Sequence, residues 1–139
     1  MRRRNVLRTL VLVAIATFSR AEQPNMADPR QKKFKLRADQ IKDLVRPMGG
    51  ALATDRITVD GMPVGYMYRE APDRPEDSGW RFFAGDESQE YVDVPENSSV
   101  YAVNTIANYD PDIIAYLESP APCAFEKIPG SHKYRPVEQ

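Results

Sequence analysis

Residues 52–68, LATDRITVDGMPVGYMY, decide the architecture. Residues 52–59 are rich in β-branched and small side chains and read as a strand. Asp60-Gly61 is the favoured two-residue hairpin turn, because both positions need positive φ, and it leads into residues 63–68, where Val64, Tyr66 and Tyr68 share one face. A hairpin here starts an antiparallel meander.

Working outward, residues 71–79 (APDRPEDSG) form a proline-rich acidic loop that breaks the sheet. Residues 80–84 follow as a third strand, with Trp80 and Phe82 on one side and Arg81 and Phe83 on the other. Residues 85–90 read as a turn or short helix start. Residues 99–108 place Val100, Val103, Ile106 and Ala107 at helical spacing, although their β-branched content leaves a strand open. Asp110-Pro111 marks a helix start, since aspartate caps free amides and proline is pre-set for the first position; Ile113, Ile114 and Leu117 supply the buried face. Residues 124–128 and 134–137 are short strands across a Gly130 turn.

On the other side of the hairpin, Ile41, Leu44, Val45 and Met48 stand at i, i+3, i+4 and i+7. That stripe predicts a helix closed by Pro47 and Gly49-Gly50. The expected fold class is α+β: an antiparallel meander of about four or five strands with two or three short helices packed on one face.

The 139 residues suit one domain, placed over residues 36–139 behind a flexible polar lead at 26–35. Residues 1–21 carry an arginine-rich start, an apolar run at 9–18 and a Ser19-Arg20-Ala21 triplet, the pattern of an export signal with a twin-arginine flavour. The competing reading starts translation at Met26, with Ala21-Glu22 encoded by a purine-rich ribosome-binding element. The first reading exports the protein; the second keeps it in the cytoplasm, and neither puts the mature form in a membrane.

Charge is unevenly distributed. Residues 55–118 hold 14 acidic side chains against four arginines, net -10, while residues 1–25 carry net +4. Such a body repels nucleic acid and speeds the approach of a basic partner, or simply keeps the protein soluble. One cysteine and one histidine exclude an internal disulfide and any zinc site built from several such ligands. His132 sits in a turn-like Gly-Ser-His-Lys stretch with no nucleophile beside it, and Cys123 reads as a packing residue. No phosphate-cradling loop occurs, and Asn97-Ser98-Ser99, although a glycosylation sequon, reads as a cap for the next segment.

The remaining chemistry lies in carboxylates. Asp73, Glu76 and Asp77 in the loop, with Asp86, Glu87 and Glu90 beyond the third strand, are solvated acids, a partner surface, or an acid/base or metal cluster. The acidic loop runs straight into Trp80, and Tyr91 and Tyr109 each stand beside acids, so an aromatic anchor with a charged rim is the binding-surface reading of these nine residues.

Several stretches together resemble a known family: Met48-Gly49-Gly50, Asp60-Gly61, residues 64–70 (VGYMYRE), residues 77–88 (DSGWRFFAGDES) and residues 103–111 (VNTIANYDP). The family is a bacterial one, first described as a domain of unknown function and now as an immunity-protein domain of polymorphic toxin systems, thirty-third in that series. The likeness covers about residues 34–128, and the segment after Ile128 is less family-like. It implies a non-enzymatic protein that binds and neutralises a cognate toxin, and it brings no catalytic, metal or cofactor residue. A nuclease-type toxin is basic, which an acidic inhibitor suits. Two other readings stay open: a small carboxylate- or metal-dependent hydrolase using Asp86 and Glu87, and a stand-alone ligand-binding domain of the same fold.

Overall fold

A computed structural model of the chain describes residues 32–138. The signal-like segment 1–25 and most of the lead at 26–35 lie outside the described residues. Six strands form one sheet: β1 (Gly50–Thr54), β2 (Tyr66–Arg69), β3 (Asp77–Phe83), β4 (Ser98–Ala102), β5 (Cys123–Lys127) and β6 (Tyr134–Pro136). Three short helices connect them, α1 (Asp55–Thr58), α2 (Gln89–Val92) and α3 (Val103–Tyr109), with 3-10 turns at Ala38–Gln40, Pro95–Asn97 and Pro111–Tyr116. The sheet order is β4-β1-β3-β2-β5-β6. Every neighbouring pair is antiparallel except β1 and β3. The α+β class stands, with a sixth strand and one parallel pair added, but the helices are not all on one face: α1 and α3 cover one side of the sheet and α2 the other, because both faces carry large apolar side chains.

That parallel pair replaces the expected hairpin. The chain leaves β1 at Thr54 and turns at once into α1, so residues 55–58 are helical and not strand. Ile57 is fully buried and the Thr58 hydroxyl meets the Tyr101 hydroxyl at 3.2 Å, so tertiary burial overrides β propensity. Asp60-Gly61 then closes the helical turn. The Asp60 and Gly61 amides donate to the carbonyls of Asp55 and Ile57, and Gly61 takes the left-handed φ of 77° typical of a helix end.

The true hairpin joins β2 and β3 across the acidic loop, in the register Tyr66↔Phe83 to Arg69↔Trp80, and the Glu70 amide closes it on the Gly79 carbonyl at 3.0 Å. Only glycine fits position 79: φ is +87°, and a Cβ there would sit 2.1 Å from the Glu70 oxygen. β3 thereby slots between β1 and β2.

β3 is buried on both faces. Trp80 and Phe82 stack at 5.8 Å in a core formed with Ala51, Ala53 and Met67, covered by Ile57 of α1, Val103, Ile106 and Ala107 of α3, and Ile113 and Leu117. Phe83 faces the opposite way among Leu52, Tyr66, Tyr68 and Ala124, with Val92 of α2 over them. The alternation expected along β3 holds. Val64, however, lies in the first core, away from Tyr66 and Tyr68, because it precedes the strand proper.

Residues 41–48 are not a helix. The residue before Pro47 is biased against helical backbone, and the segment's polar groups go to α3 instead. The Asn104 side-chain oxygen accepts from the amides of Leu44 (2.7 Å) and Val45 (3.1 Å), and its nitrogen donates to the Lys42 carbonyl at 2.7 Å. Asn108 bonds both the amide and the carbonyl of Lys42. Val45 and Met48 pack on the core, whereas Leu44 stays exposed.

One charge sits inside the sheet. The side chain of Arg81 is 4% exposed, and Asp77 holds it by two bonds of 2.8 and 2.7 Å while Glu70 adds a third at 3.1 Å. Burial works to raise the Asp77 carboxyl, but its bonds to Arg81 and to the Gly79 amide outweigh that and leave it below the usual carboxylate range.

Two outcomes follow. Asp77→Asn removes a carboxylate whose pKa is depressed in the folded state, so the stabilisation it supplies is present above the unfolded value of roughly 4 and is lost as pH falls through the folded value. Urea unfolding should show the variant about 2 kcal/mol less stable at pH 7, below the roughly 3–5 kcal/mol of breaking a fully buried ion pair because Glu70 still bonds Arg81, with the difference closing below pH 4. Asn104→Ala should accelerate hydrogen exchange at the amides of Leu44 and Val45 by tenfold or more, with β3 amides unchanged.

Candidate partner-binding surface

The nine residues singled out in the sequence do not form one patch. Asp77 opens β3 and Asp86 lies three residues beyond its end, which at about 3.3 Å per residue separates the two acidic groups by roughly 20 Å. Each group gathers its own neighbours.

At the far end of β3, Asp86 meets α1. Its two oxygens take bonds of 3.2 and 2.6 Å from Arg56, which also reaches Asp60 at 2.9 Å. These hydrogen bonds raise the Arg56 guanidinium further, so it stays a fixed cation between two carboxylates. Tyr91 leans into the same group. Burial, followed by the fields of Asp55, Asp60 and Glu87, pushes its phenol well above the ordinary value, so the hydroxyl keeps its proton. Lys32 closes one side, bonding Asp55 at 2.8 Å, the Glu96 carbonyl at 2.8 Å and the Ser99 hydroxyl at 3.0 Å. Asp60, Asp86, Glu90 and Asp93 present exposed carboxylates around this end.

Glu87 has a different task. It is buried, and its carboxylate accepts from the Thr54 hydroxyl at 2.6 Å and from the amides of Ala84 and Gly85 at 2.8 and 2.9 Å. Both oxygens are occupied in fixing the turn after β3 against the end of β1. A hydrolase built on Asp86 and Glu87 finds one carboxylate spent on backbone and the other on an arginine. Among the described residues no group of three or more His, Cys, Asp or Glu is placed to hold a metal ion.

At the near end, Asp73 and Glu76 are exposed on the hairpin loop, while Asp77 is turned to Arg81. Trp80 is fully buried, its indole donates to the Leu117 carbonyl at 3.0 Å and Arg69 lies 5.7 Å over its ring. The expected aromatic anchor is thus a core residue. A central strand with neighbours on both sides leaves its large side chains nowhere else to go. Tyr109 stands apart on α3, accepting the Leu36 amide at 3.2 Å, and burial raises its phenol too.

Other residues fall as their chemistry predicts. Cys123 is half-buried and burial pushes its thiol up. His132 is exposed, 2.9 Å from Asp112. Asp110 caps the Pro111–Tyr116 turn through the Asp112 amide, as expected from Asp110-Pro111, and its second oxygen collects Val64, Lys127 and Tyr134. The missed members of the surface are Asp55, Arg56 and Asp60. Arg56 and Asp60 stand at i, i+4, a helical ion-pair spacing hidden by reading the segment as a strand.

The described residues contain no helix long and apolar enough to cross a membrane. Neither a curated protein nor a solved structure matches the chain. The Immunity protein Imm33 domain matches residues 51–138, starting later than the sequence likeness suggested and taking in the segment after Ile128, whose strand β6 pairs with β5. With the match running from β1 to the end of the described residues, the chain belongs to the Imm33 immunity-protein domain family.

Proposed function

We propose that this chain is a non-enzymatic binding protein that neutralises a cognate, basic toxin by covering it with its acidic surface. Membership of the immunity family carries the binding role. The choice of a basic partner is supported by the net -10 of residues 55–118 and by where those charges lie. The acids that hold the fold, Glu87, Asp110 and Asp77, are buried or half-buried, whereas Asp60, Asp73, Glu76, Asp86 and Glu90 are exposed at the two ends of the sheet. Exposed charges act mainly on the association rate and on partner choice.

Co-expression tests this reading. A neighbouring gene whose product halts growth alone, growth restored by this chain, and a complex that survives gel filtration are the results expected. The association rate should also fall steeply between 50 and 500 mM salt, because steering by exposed charge is screened. Growth arrest equal with and without the chain contradicts the proposal.

A further inference from the structure

The two edges of the sheet are built differently. β6 is three residues long and carries Arg135 and Pro136, the charge and the proline that keep an edge from pairing. β4, at the other edge, reads Ser98-Ser99-Val100-Tyr101-Ala102, with neither. Val100 is 57% exposed, the most exposed large apolar residue in the described chain.

The ladder fixes which backbone groups face out. β4 pairs β1 from Gly50↔Ala102 to Thr54↔Ser98, and the Val103 amide bonds the Gly49 carbonyl. By antiparallel alternation residues 99, 101 and 103 bond to β1, and the amide and carbonyl of Val100 and Ala102 point away from it, with no further strand beyond them among the described residues. A groove of about 380 Å³ runs beside them, lined by Pro47, Met48, Gly49 and Gly50 and by residues 100–104.

Charge brackets this edge. At its start, Asn97 donates to the Tyr91 carbonyl at 2.8 Å and Lys32 ties Ser99 to Asp55, which holds the segment carrying Glu90, Asp93 and Glu96 beside the start of β4. At its finish, Ala102 lies across from Gly50, which pairs in turn with Asp77 and whose amide bonds the Glu76 carbonyl at 2.7 Å. Two cations near these ends are engaged, Lys32 with Asp55 and Arg46, beside the groove, with Glu118 through two bonds of 2.8 Å, while Arg74 lies in the hairpin loop within the field of Asp77. β4 therefore connects the two acidic groups that β3 holds apart.

We infer that β4 receives an extended strand of the toxin, adding it to the sheet edge, with apolar side chains against Val100 and the groove and basic side chains over the acids at both ends. Main-chain bonds would supply affinity and the flanking charges the choice of partner. The proposal rests on the toxin-binding reading, and a peptide probe lets the two fail separately.

The probe is the peptide Lys-Lys-Val-Thr-Val-Thr-Val-Lys-Lys, titrated into the full chain and followed by amide NMR. Saturable shifts at residues 98–104 and at Gly49 and Gly50 are expected, with a version flanked by glutamates binding at least tenfold more weakly. Val100→Pro removes an outward amide and leaves the β1 ladder intact; it should weaken the lysine peptide tenfold or more. Val100→Lys, which adds a like charge at the edge, should do the same should the proline variant fail to fold, while Val100→Thr retains binding. Shifts elsewhere, no saturation, or lysine-peptide binding as tight in both Val100→Pro and Val100→Lys as in the unaltered chain would overturn the inference. So would a homodimer that Val100→Lys dissolves, since the edge would then take a second copy of this chain. Growth rescue by co-expression is read independently of all these outcomes.

Discussion

The insertion of β3 between β1 and β2 is the constraint on which the rest depends. A strand paired on both sides and covered on both faces favours apolar side chains, yet between Trp80 and Phe82 it carries Arg81. A buried guanidinium is tolerable only when its donors are met, and Asp77 and Glu70, at the two feet of the β2–β3 hairpin, meet them. Two of the chain's many acids are thereby committed to folding, and the loop between them is left outside with Asp73 and Glu76. The same strand sends Trp80 into the core, where its ring stacks on Phe82 and its indole proton satisfies a carbonyl.

An acidic composition thus conceals two populations. Glu87 and Asp110 act as backbone clamps: each collects amide and side-chain donors from several elements, and each fixes a segment that has no regular pairing of its own. Asp60, Asp73, Glu76, Asp86 and Glu90 are exposed instead. Asp60 and Asp86 share one arginine at the surface, where an ion pair contributes little to stability. Tyr91, held protonated among these carboxylates, adds a hydroxyl to the group. A binding surface can therefore change its charges with small effect on the fold.

Much of this was legible before the structure. β3, β5 and β6, the capping Asp110-Pro111 and the two faces of residues 80–83 followed from period-two alternation and cap chemistry, which are local. Two expectations were overturned by long-range contacts. Residues 41–48 carry a helical stripe, but Asn104 and Asn108, some 60 residues away, take their backbone groups. Asp60-Gly61 has the chemistry of a hairpin turn, but positive φ at glycine serves a helix end equally well, and the burial of Ile57 chose between them. The acids of the predicted surface fall into two groups because β3 runs between them. The match of the family to residues 51–138 begins at β1, the first strand of the sheet.

The division of the acids into those that clamp the fold and those that stand exposed at the ends of the sheet is tested most directly by urea unfolding at pH 7 of Glu87→Gln beside the double variant Asp86→Asn, Glu90→Gln. Exchanging one accepting oxygen of Glu87 for an NH2 that faces buried donors should lower the stability of the first by about 2 kcal/mol, while the second should stay within about 0.5 kcal/mol of the unaltered chain. A stable Glu87→Gln protein, or a double variant as damaged as the single one, would contradict that division.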